Sequence, residues 1–532
     1  MLNFIIYFYF KMASLSNGFT VNSDKVKLDG DIITAEYDYH TNTCEMTDKG
    51  LVVTPITKKI SFRTDTKVPK VGVMFVGYGG NNGSTICSGV LANKKGLSWE
   101  TKRGTVHANY HGSLTQCSTT YLGEDSKGQI YVTAFKDLLP TISPNDLVIT
   151  GWDISKLNMY EAVKRAKVME PTMYEQIKSD LEAIVPLPAI FNLDFVAPNQ
   201  ETRADNIIPG NKQAQVDTVR KQIQDFKAAN KLDKVIVFWT ANTERYTETD
   251  PAIHGSADKL LEAIKNDAKE ISPSTLYCTA AILEHCPYIN GSPQNTFVPG
   301  IIELAEREKV QIMGDDLKTG QTKLKSVMAD FLISSGLKMD AVVSYNHLGN
   351  NDGLNLDYYK CFRSKEISKA SVIDDMVGNN PILYPNNSHP DHCVVIKYIP
   401  CVGDSKRALD EYDSRIFCGG ENIISLHNTC EDSLLAAPLM LDIVILMELF
   451  TRITVKDETM KDYDHFAAVH SVLSFLFKAP RTPHNSPVIN SLFQQRAMLE
   501  NTLRATRGLQ PLNNMHLEWK LPGYHREVPA KN

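Results

Sequence analysis

The chain has 532 residues, a formal net charge of −6, 42% hydrophobic residues and 22% charged residues. This length predicts more than one domain with a sizeable core, at roughly 100–200 residues per domain. The composition is that of an ordinary globular protein, and its acidic balance excludes the strongly basic character typical of nucleic-acid-binding domains. Ten cysteines without a C-x-x-C pair indicate reduced core thiols in a cytosolic protein rather than a disulfide framework or a zinc site.

The composition of the N-terminal part of the chain does not predict a hydrophobic core. Residues 1–11 are apolar and aromatic and end at Lys11. They are too short to span a bilayer and lack the basic start and cleavage site of a targeting signal, so we interpret them as a leader of unknown role. Residues 12–65 are polar, with short alternating runs such as 50–58, and predict an arm or edge strands.

A strand, a glycine-rich turn and a helix follow. The apolar run Val71–Val76 predicts a buried strand, and residues 84–92 predict a helix after the glycines of 77–83. Such a turn presents a helix N-terminus to a phosphate. The third glycine, however, comes one residue later than in the dinucleotide-binding pattern G-x-G-x-x-G. A tight strand-to-helix turn without a bound phosphate is therefore the alternative interpretation. Glu100 follows the glycine turn at about the sequence separation expected of an acid that binds the ribose of a dinucleotide. The alternative is that Glu100 is a solvated surface residue.

Further strands alternate with helices along the next part of the chain. Predicted strands at 146–150, 234–240 and 309–313 each end in a polar or glycine-containing cluster. Predicted helices lie at 159–166, 214–229 and 256–271. This alternation predicts a parallel sheet covered on both faces, with a nucleotide site beyond the carboxyl ends of its strands.

The pattern changes near residue 323. Predicted strands at 341–346, 392–400 and 423–428 between polar loops indicate a second, α+β domain. Residues 433–453 are long and apolar enough to resemble a membrane span, but their embedded Pro, Asp, Glu and Arg favour a buried core helix. We interpret residues 518–532 as a C-terminal tail.

Several charged groups could carry chemistry, and each also has a simpler interpretation. Lys365 and Lys369 share one face of a predicted helix. This face is either exposed to solvent, or it forms a site for a phosphorylated substrate in which a lysine acts as a base. Asp315 and Asp316 form a potential metal pair, although adjacent acids on a strand point apart. Lys478 either complements a helix C-terminus or belongs to a site.

Two loops are equally ambiguous by themselves. Residues 350–353 (Asn-Asn-Asp-Gly) are typical of a turn, and residues 403–406 (Gly-Asp-Ser-Lys) combine glycine, acid and cation. The hydrolase signatures G-x-S-x-G and H-E-x-x-H do not occur in the sequence.

Long segments in a fixed order point to a known family. They are GYGGNNGS (77–84), FWTANTERY (238–246), NGSPQNTFVPG (290–300), GDDLKTGQTKLKS (314–326), SYNHLGNNDG (344–353), FRSKEISKASVIDD (362–375), VGDSKRALDEY (402–412), HNTCEDSLLA (427–436) and FKAP (477–480). On these segments, from about residue 66 to 510, the chain resembles the myo-inositol-1-phosphate synthase family. The late third glycine is a feature of that family.

The resemblance implies an isomerase that converts D-glucose 6-phosphate to 1D-myo-inositol 3-phosphate, the first step of inositol biosynthesis. The implied route is NAD-dependent oxidation at C5, enolisation, intramolecular aldol cyclisation and re-reduction, with NAD as cofactor and no metal. Two alternatives remain: an NAD-dependent dehydrogenase with net redox turnover, and a catalytically inactive NAD-binding regulator.

The resemblance also implies roles for individual residues. Lys365 would take the C5 hydroxyl proton, and Lys369 and Lys406 would stabilise oxyanions and shuttle protons. Lys478 would steady the substrate oxygens, and Asp316 and Asp352 would orient the lysines and the nicotinamide. The residues implied around the cofactor and its pocket are Gly79, Gly80, Asn81, Asn82, Asp153, Gln200, Arg203, Thr240, Ala241, Asn242, Thr243, Gly291, Ser292, Asp316, Thr319, Asn350, Asn351, Asp352, Lys365, Gly403, Asp404, Asp432 and Ser433.

Within that set, three assignments are more specific. Asp153 rather than Glu100 takes the ribose role. The substrate phosphate rests on the Gly291-Ser292 loop, and Asp432 with Ser433 closes the pocket. Position 319 is commonly Ser in the family and is Thr here, which preserves the hydroxyl.

The implied fold is α/β, with a Rossmann-type NAD-binding domain at 66–322 and a return to that domain at 438–532. Residues 323–437 form an inserted α+β catalytic and tetramerisation domain, and the arm at 12–65 packs on this second domain. We expect a cytoplasmic homotetramer that acts on glucose 6-phosphate, without a nucleic-acid or membrane partner.

Overall fold

A computed structural model describes residues 18–125 and 129–521 of the chain. The leader at residues 1–11 and most of the predicted tail lie outside the described residues.

Three strands begin the described part of the chain, strands interspersed with helices follow, and a second group of long strands lies between residues 338 and 431. The strands are β1 (Val26–Asp29), β2 (Ile32–Thr47), β3 (Gly50–Asp65), β4 (Val71–Val76), β5 (Ser98–Thr101), β6 (Gly104–His107), β7 (Thr119–Glu124), β8 (Ile130–Ala134), β9 (Val148–Asp153), β10 (Leu187–Pro188), β11 (Lys234–Trp239), β12 (Tyr288–Asn290), β13 (Ile312–Met313), β14 (Lys338–Leu348), β15 (Asp391–Tyr398), β16 (Ser405–Arg415), β17 (Glu421–Glu431), β18 (Ile453–Asp457) and β19 (Asp464–His465). The helices are α1 (Asn81–Lys94), α2 (Leu114–Cys117), α3 (Met159–Ala166), α4 (Pro171–Tyr174), α5 (Lys178–Glu182), α6 (Lys212–Asn230), α7 (Pro251–His254), α8 (Ala257–Lys265), α9 (Pro273–Leu283), α10 (Pro299–Glu308), α11 (Gly320–Ser334), α12 (Asn351–Leu356), α13 (Tyr359–Ala370), α14 (Asp374–Gly378), α15 (Asp432–Phe450) and α16 (Leu492–Arg507).

A parallel sheet in the order β10-β9-β4-β11-β12-β13 organises the first half of the chain. All of its strand pairs are parallel. Successive strands lie on both sides of β4, so the connections diverge there and leave a crevice at the carboxyl ends of the strands. The predicted α/β architecture with a parallel sheet is confirmed.

Both faces of this sheet are covered by helices. Along β4, Val71, Val73 and Phe75 belong to one hydrophobic cluster, whereas Met74 and Val76 belong to the other. Because side chains alternate along a strand, one continuous apolar run supplies both cores. This explains why the strand reads as a uniform apolar segment rather than as an alternating one.

Helix α15 lies in the first of these clusters. In the described part of the chain, this is the one helix that is long and apolar enough to cross a membrane. Of its most apolar 18-residue stretch, 89% is buried inside the fold. The prediction of a core helix is therefore confirmed.

Some predicted boundaries are wrong by a few residues. The strand predicted at 146–150 runs over Val148–Asp153, and the strand predicted at 309–313 is reduced to Ile312–Met313. The helix predicted at 256–271 ends at Lys265, because Asp267 adopts a left-handed backbone with φ 57°.

The second sheet has the order β15-β14-β16-β17 and packs against helices α11 and α13. Strands β14 and β15 are parallel, while β14–β16 and β16–β17 are antiparallel. The three predicted strands of this region are confirmed, whereas the domain boundaries stay predictions.

The third sheet, β1-β2-β3-β18-β19, is antiparallel and contains the predicted arm. Strands β2 and β3 form a long hairpin whose base is buried at Ile33, Ala35 and Phe62. Strand β3 pairs with β18, which belongs to the C-terminal segment. The base of the arm is therefore fixed to that segment, and packing of the arm on the second domain stays a prediction.

Candidate active site

A large cleft lies at the carboxyl ends of the parallel strands, and its volume is about 1520 Å³ with the open mouth included. Most predicted site residues line it: Gly80, Asn81, Asn82, Asp153, Gln200, Arg203, Thr240, Ala241, Asn242, Thr243, Gly291, Ser292, Asp316, Thr319, Asn350, Asn351, Asp352, Lys365, Lys406, Asp432, Ser433 and Lys478. Gly79, Lys369, Gly403 and Asp404 lie behind this lining.

The glycine turn places the N-terminus of α1 at the cleft. Its N-cap residue Gly80 supplies no side-chain hydrogen bond, so the first turn keeps backbone donors for a ligand. A Cβ on Gly83 would lie 2.2 Å from the carbonyl oxygen of Tyr78. The late third glycine is thus required for close approach of the first helical turn to the end of β4, which suits a dinucleotide pyrophosphate.

Asp153 is the acid at the end of β9. It is buried, and the backbone N–H of Ser155 donates to its Oδ1 at 2.9 Å. Burial raises the pKa of this carboxyl, while Arg203 and Arg165 oppose the rise. Glu100 instead lies exposed in the β5–β6 hairpin, where Thr105 Oγ1 donates to it at 2.6 Å. The structure therefore brings Asp153, and not Glu100, to the cleft.

Amide side chains join the two halves of the cleft. Asn242 and Asn351 both donate to Gln200 Oε1, at 2.7 and 3.0 Å. The backbone N–H of Thr243 donates to Asp352 Oδ1 at 3.0 Å. These contacts tie the loop after β11 to the start of α12, so the predicted turn at 350–353 is a helix N-terminus in the cleft wall.

Asp404 connects three further elements from behind the lining. Its carboxylate accepts from Asn81 and Asn350, both at 3.1 Å, and from the backbone N–H of Ser433 at 2.8 Å. The preceding Gly403 has φ 56° and ψ −133°, a conformation that only glycine adopts readily. These two residues position the starts of α1, α12 and α15.

Asp316 is the centre of the charged part of the cleft. Its Oδ1 accepts from Lys365 Nζ at 2.8 Å and from Lys478 Nζ at 3.0 Å, and its Oδ2 accepts from Ser368 Oγ at 2.6 Å. Burial alone would raise the pKa of this carboxyl, but the two ammonium groups hold it well below its usual range.

The two lysines on Asp316 have opposite pKa shifts. Burial would lower the pKa of Lys365, yet Asp316 and Asp352 raise it above its usual value. Burial lowers the pKa of Lys478 to about 7, although Asp316 opposes the change. One carboxylate therefore holds a permanent cation beside an amine that titrates near neutral pH.

Asp315 faces away from this cluster. Its carboxylate accepts from Arg481 Nε and Asn290 Nδ2, both at 2.7 Å. The two adjacent acids point apart, as expected of neighbours, and they do not form a metal pair.

Lys369 and Lys406 lie beside the Asp316 cluster. Lys369 is completely buried, and its Nζ donates to Gln321 Oε1 and Asn346 Oδ1, both at 3.2 Å. Burial, followed by the charges of Lys406 and Lys325, holds its pKa well below its usual value. Lys406 Nζ lies 3.9 Å from Asp432 Oδ1. The solvated-face interpretation of Lys365 and Lys369 is wrong.

Sequence reasoning missed several polar residues behind these lysines. Gln321, Lys325, Asn346 and Ser368 are all buried. Gln321 and Asn346 accept from Lys369, and Ser368 donates to Asp316. Lys325 Nζ lies 2.8 Å from His392 Nε2. Gln321 and Lys325 stand four apart in the quoted segment 314–326, so their shared helical face was a usable signal. Lys478 follows a short turn at Ser474–Leu476 rather than an α-helix, and its backbone N–H donates to Asp316 O at 2.7 Å.

The fold and the cleft define a class: a Rossmann-type α/β enzyme whose nucleotide crevice opens onto a group of buried lysines. The family model of myo-inositol-1-phosphate synthase, an NAD-binding family, matches residues 71–504. The chain belongs to the myo-inositol-1-phosphate synthase family.

Individual relatives match nearly the whole chain. Inositol-3-phosphate synthase 1-B of Xenopus laevis is 56% identical over 94% of this chain and 89% of its own length. Inositol-3-phosphate synthase 1 of Oryza sativa subsp. japonica is 53% identical over 94% of this chain and 99% of its own length. The crystal structure of inositol-3-phosphate synthase from Caenorhabditis elegans superposes with a TM-score of 0.93 at 49% identity, covering 97% of this chain and 100% of that one.

Proposed function

We propose that this protein converts D-glucose 6-phosphate to 1D-myo-inositol 3-phosphate without net redox change. The observation that carries the proposal is the lysine cluster on Asp316, in the same cleft as the glycine turn. The names of the relatives and the family membership support the same reaction.

The cofactor is NAD, and the residues at the sheet edge fit it. The glycine cradle leaves no room for a Cβ at Gly83, and the first turn of α1 offers uncapped donors for a pyrophosphate. Asp153 suits a ribose hydroxyl. When bound, NAD supplies reversible hydride acceptance at a sugar carbon.

The substrate phosphate is better served by the N-terminus of α11 than by the predicted Gly291-Ser292 loop. The Gly291 N–H already donates to Trp239 O at 2.9 Å, and Ser292 Oγ donates to Ala241 O at 3.1 Å. Thr319, the N-cap of α11, makes no side-chain cap and lines the cleft, and Gln321 of this helix contacts Lys369. The helix N-terminus and the permanent cation Lys365, which lines the same cleft, together suit a dianion.

The proton acceptor is better assigned to Lys478 or Lys369 than to Lys365. A general base must be neutral at working pH, and the pKa of Lys365 is raised by Asp316 and Asp352. Burial lowers the pKa of Lys478 to about 7. We therefore revise the sequence assignment: Lys365 is a fixed cation for developing oxyanions, and its neighbours take the substrate protons.

These residues meet the needs of an intramolecular aldol closure. A ketone at C5 makes the C6 protons acidic, a neutral lysine removes one of them, and the ammonium groups stabilise the enolate oxygen. The phosphate is carried on C6, so a pocket that holds the phosphate beside the C1 aldehyde keeps the two reacting carbons together and favours ring closure.

Purified protein with glucose 6-phosphate and NAD tests the proposal. We expect ³¹P NMR to show an inositol phosphate while the absorbance of NADH stays flat. A net dehydrogenase would accumulate NADH in proportion to the substrate consumed, and an inactive regulator would leave the sugar phosphate unchanged.

We also propose that the protein is a cytoplasmic homotetramer. The outer face of the second sheet carries Tyr345, Leu409 and Ile423, each about half exposed in the single chain, and such apolar groups favour burial between copies. All ten cysteines are free, which suits a reducing compartment. Light scattering should give four times the chain mass, and cell fractionation should place the protein in the cytosol; a monomer or a membrane-pellet location would contradict these proposals.

A further inference from the structure

The amine of Lys369 is held by two neutral amides. Its Nζ donates to the side-chain oxygens of Gln321 and Asn346, both at 3.2 Å. Lys365 and Lys478, by contrast, contact the carboxylate of Asp316. The orientation of those two amides therefore decides how the Lys369 amine faces its surroundings.

Both amides are fixed from the second sheet. Gln321 Nε2 donates to the two carboxylate oxygens of Asp410, at 3.0 and 2.9 Å. An ionised carboxylate can only accept, so the amide oxygen of Gln321 must face Lys369. Asn346 Nδ2 donates to Val395 O at 3.2 Å, which turns its oxygen toward the same amine. Asp410 is 3% exposed, so water does not compete strongly for its oxygens.

This arrangement has a consequence for a neutral amine, which has two N–H groups and one lone pair. Two fixed acceptors take both N–H groups, and the lone pair is left for a substrate proton. We propose that Asp410, acting through Gln321, is a positioning residue that holds the Lys369 amine with its lone pair free for proton transfer. The inference rests on the proposed function, because it assigns that lone pair to the reaction.

Charged and titratable groups on several elements surround Lys369. They are Lys365 on its own helix, Lys325 on α11, His392 on β15, Lys406 and Asp410 on β16, Lys478, Asp316, which is bonded to the neighbouring Ser368, and Asp352 on the adjacent helix α12. The cations favour the neutral amine, and Asp410 is the anion that reaches it through Gln321. Removing that anion lowers the proton affinity of Lys369 further, and a freed amide can turn its NH₂ group toward the lone pair.

The test compares the NAD-loaded wild type with Asp410→Asn, and with Glu411→Gln as the matched control. Glu411 is the next residue on β16 and is exposed, so its variant removes the same charge without touching the amide. The first readout is the titration of the Lys369 side chain by ¹³Cε NMR, assigned with Lys369→Met. The second is the pH profile of turnover with glucose 6-phosphate.

In Asp410→Asn we expect the Lys369 midpoint to fall by about one pH unit and kcat to fall about 10- to 100-fold. Glu411→Gln should match the wild type in both. An unchanged Lys369 midpoint in folded Asp410→Asn, judged by its NAD binding and thermal melting, overturns the inference.

Two further outcomes are also decisive. If Asp410→Asn does not fold, Gln321→Met removes one acceptor from the same amine and must lower the midpoint; no change there overturns the inference. If the wild type forms no inositol phosphate but the midpoint still moves in Asp410→Asn, the positioning role stands and the proposed function fails.

Discussion

At the scale of single residues, Asp316 contacts two lysines, Lys365 and Lys478, whose pKa values are shifted in opposite directions. Its Oδ1 contacts both Lys365 and Lys478, yet the pKa of Lys365 is raised and that of Lys478 falls to about 7. The difference arises because Asp352 adds a second negative charge near Lys365, whereas Lys365 and Lys406 add positive charges near Lys478. Pairs of groups with divergent pKa values often divide acid, base and electrostatic roles.

The pH profile of kcat/KM tests this division. Lys478 becomes neutral as the pH rises through about 7, so activity should rise over the same range. Asp316→Asn removes a charge that favours the ammonium form, so the acid limb should move to lower pH. Ionisation of the substrate phosphate is common to both proteins and cancels in the comparison. A limb at the same pH in the variant would contradict the assignment.

Lys365→Ala tests the role of the fixed cation. We expect turnover to fall at least about 100-fold, the scale of losing one preorganised charge-stabilising group, while NAD affinity stays near normal. Lys360→Ala, an exposed lysine on the same helix, should behave as the wild type. Calorimetry with NAD separates the two properties: lost cofactor affinity would mean that Lys365 belongs to the nucleotide site.

The lysines themselves could be named from the sequence, because they lie in segments that resemble a known family. Their protonation could not, since it depends on burial and on partners distant in the chain. Asp316 and Lys478 are an example: the chain between them contains all four strands of the second sheet. For the same reason the link from Asp410 through Gln321 to Lys369 gave no signal in the sequence.

At the scale of elements, the turn between β4 and α1 explains the irregular glycine spacing. The position of Gly83 is set by contact with the Tyr78 carbonyl, and the positive φ of 85° at Gly77 sets the turn. Sequence reasoning could identify the strand, the turn and the helix. It could not determine that the third glycine is needed for backbone contact.

Two glycine substitutions in α1 separate these effects. Gly83→Ala places a Cβ 2.2 Å from a backbone oxygen, so NAD affinity should fall about tenfold or more, as a misfit of about 1–3 kcal/mol implies. Gly89→Ala meets nothing within 4 Å and should stabilise the helix by about 0.5–1 kcal/mol. Titration of NAD by fluorescence compares them; equal affinities would refute the steric explanation.

Helix α15 shows how charged residues in an apolar segment are satisfied. Arg452, just beyond the helix, donates to both carboxylate oxygens of Glu448, at 2.8 and 3.0 Å, and the pair is almost completely buried. The same guanidinium donates to Pro140 O at 2.7 Å. The sequence indicated a core helix from these charges, but their partners depend on tertiary packing.

Among the described residues, Arg452→Leu leaves buried Glu448 with Lys234, 3.4 Å away, as its remaining ion partner. The protein should lose about 3–5 kcal/mol of stability, the usual cost of breaking a buried pair from one side. Arg307→Leu removes an exposed pair with Asp258 and should cost no more than about 1 kcal/mol. Urea unfolding measures both, and similar midpoints for the two variants would contradict this prediction.

At the scale of the whole molecule, the parallel sheet supplies the cofactor edge, and the reactive lysines come from α13, from β16 of the second sheet and from the C-terminal segment. The α/β class, the central strands and the change of pattern near residue 323 could be predicted, because hydrophobic periodicity is local. The pairing of β3 with β18 could not, since strands so far apart in the chain share no local pattern. The cleft forms only when these distant segments meet.

Glucose 6-phosphate that carries deuterium at C5 tests directly whether the hydride is returned to the carbon it came from. We expect an inositol phosphate that retains the deuterium at the corresponding carbon, with no reduced cofactor left at the end of the reaction. Deuterated NADH accumulating in step with substrate loss, without a cyclic product, would contradict this expectation.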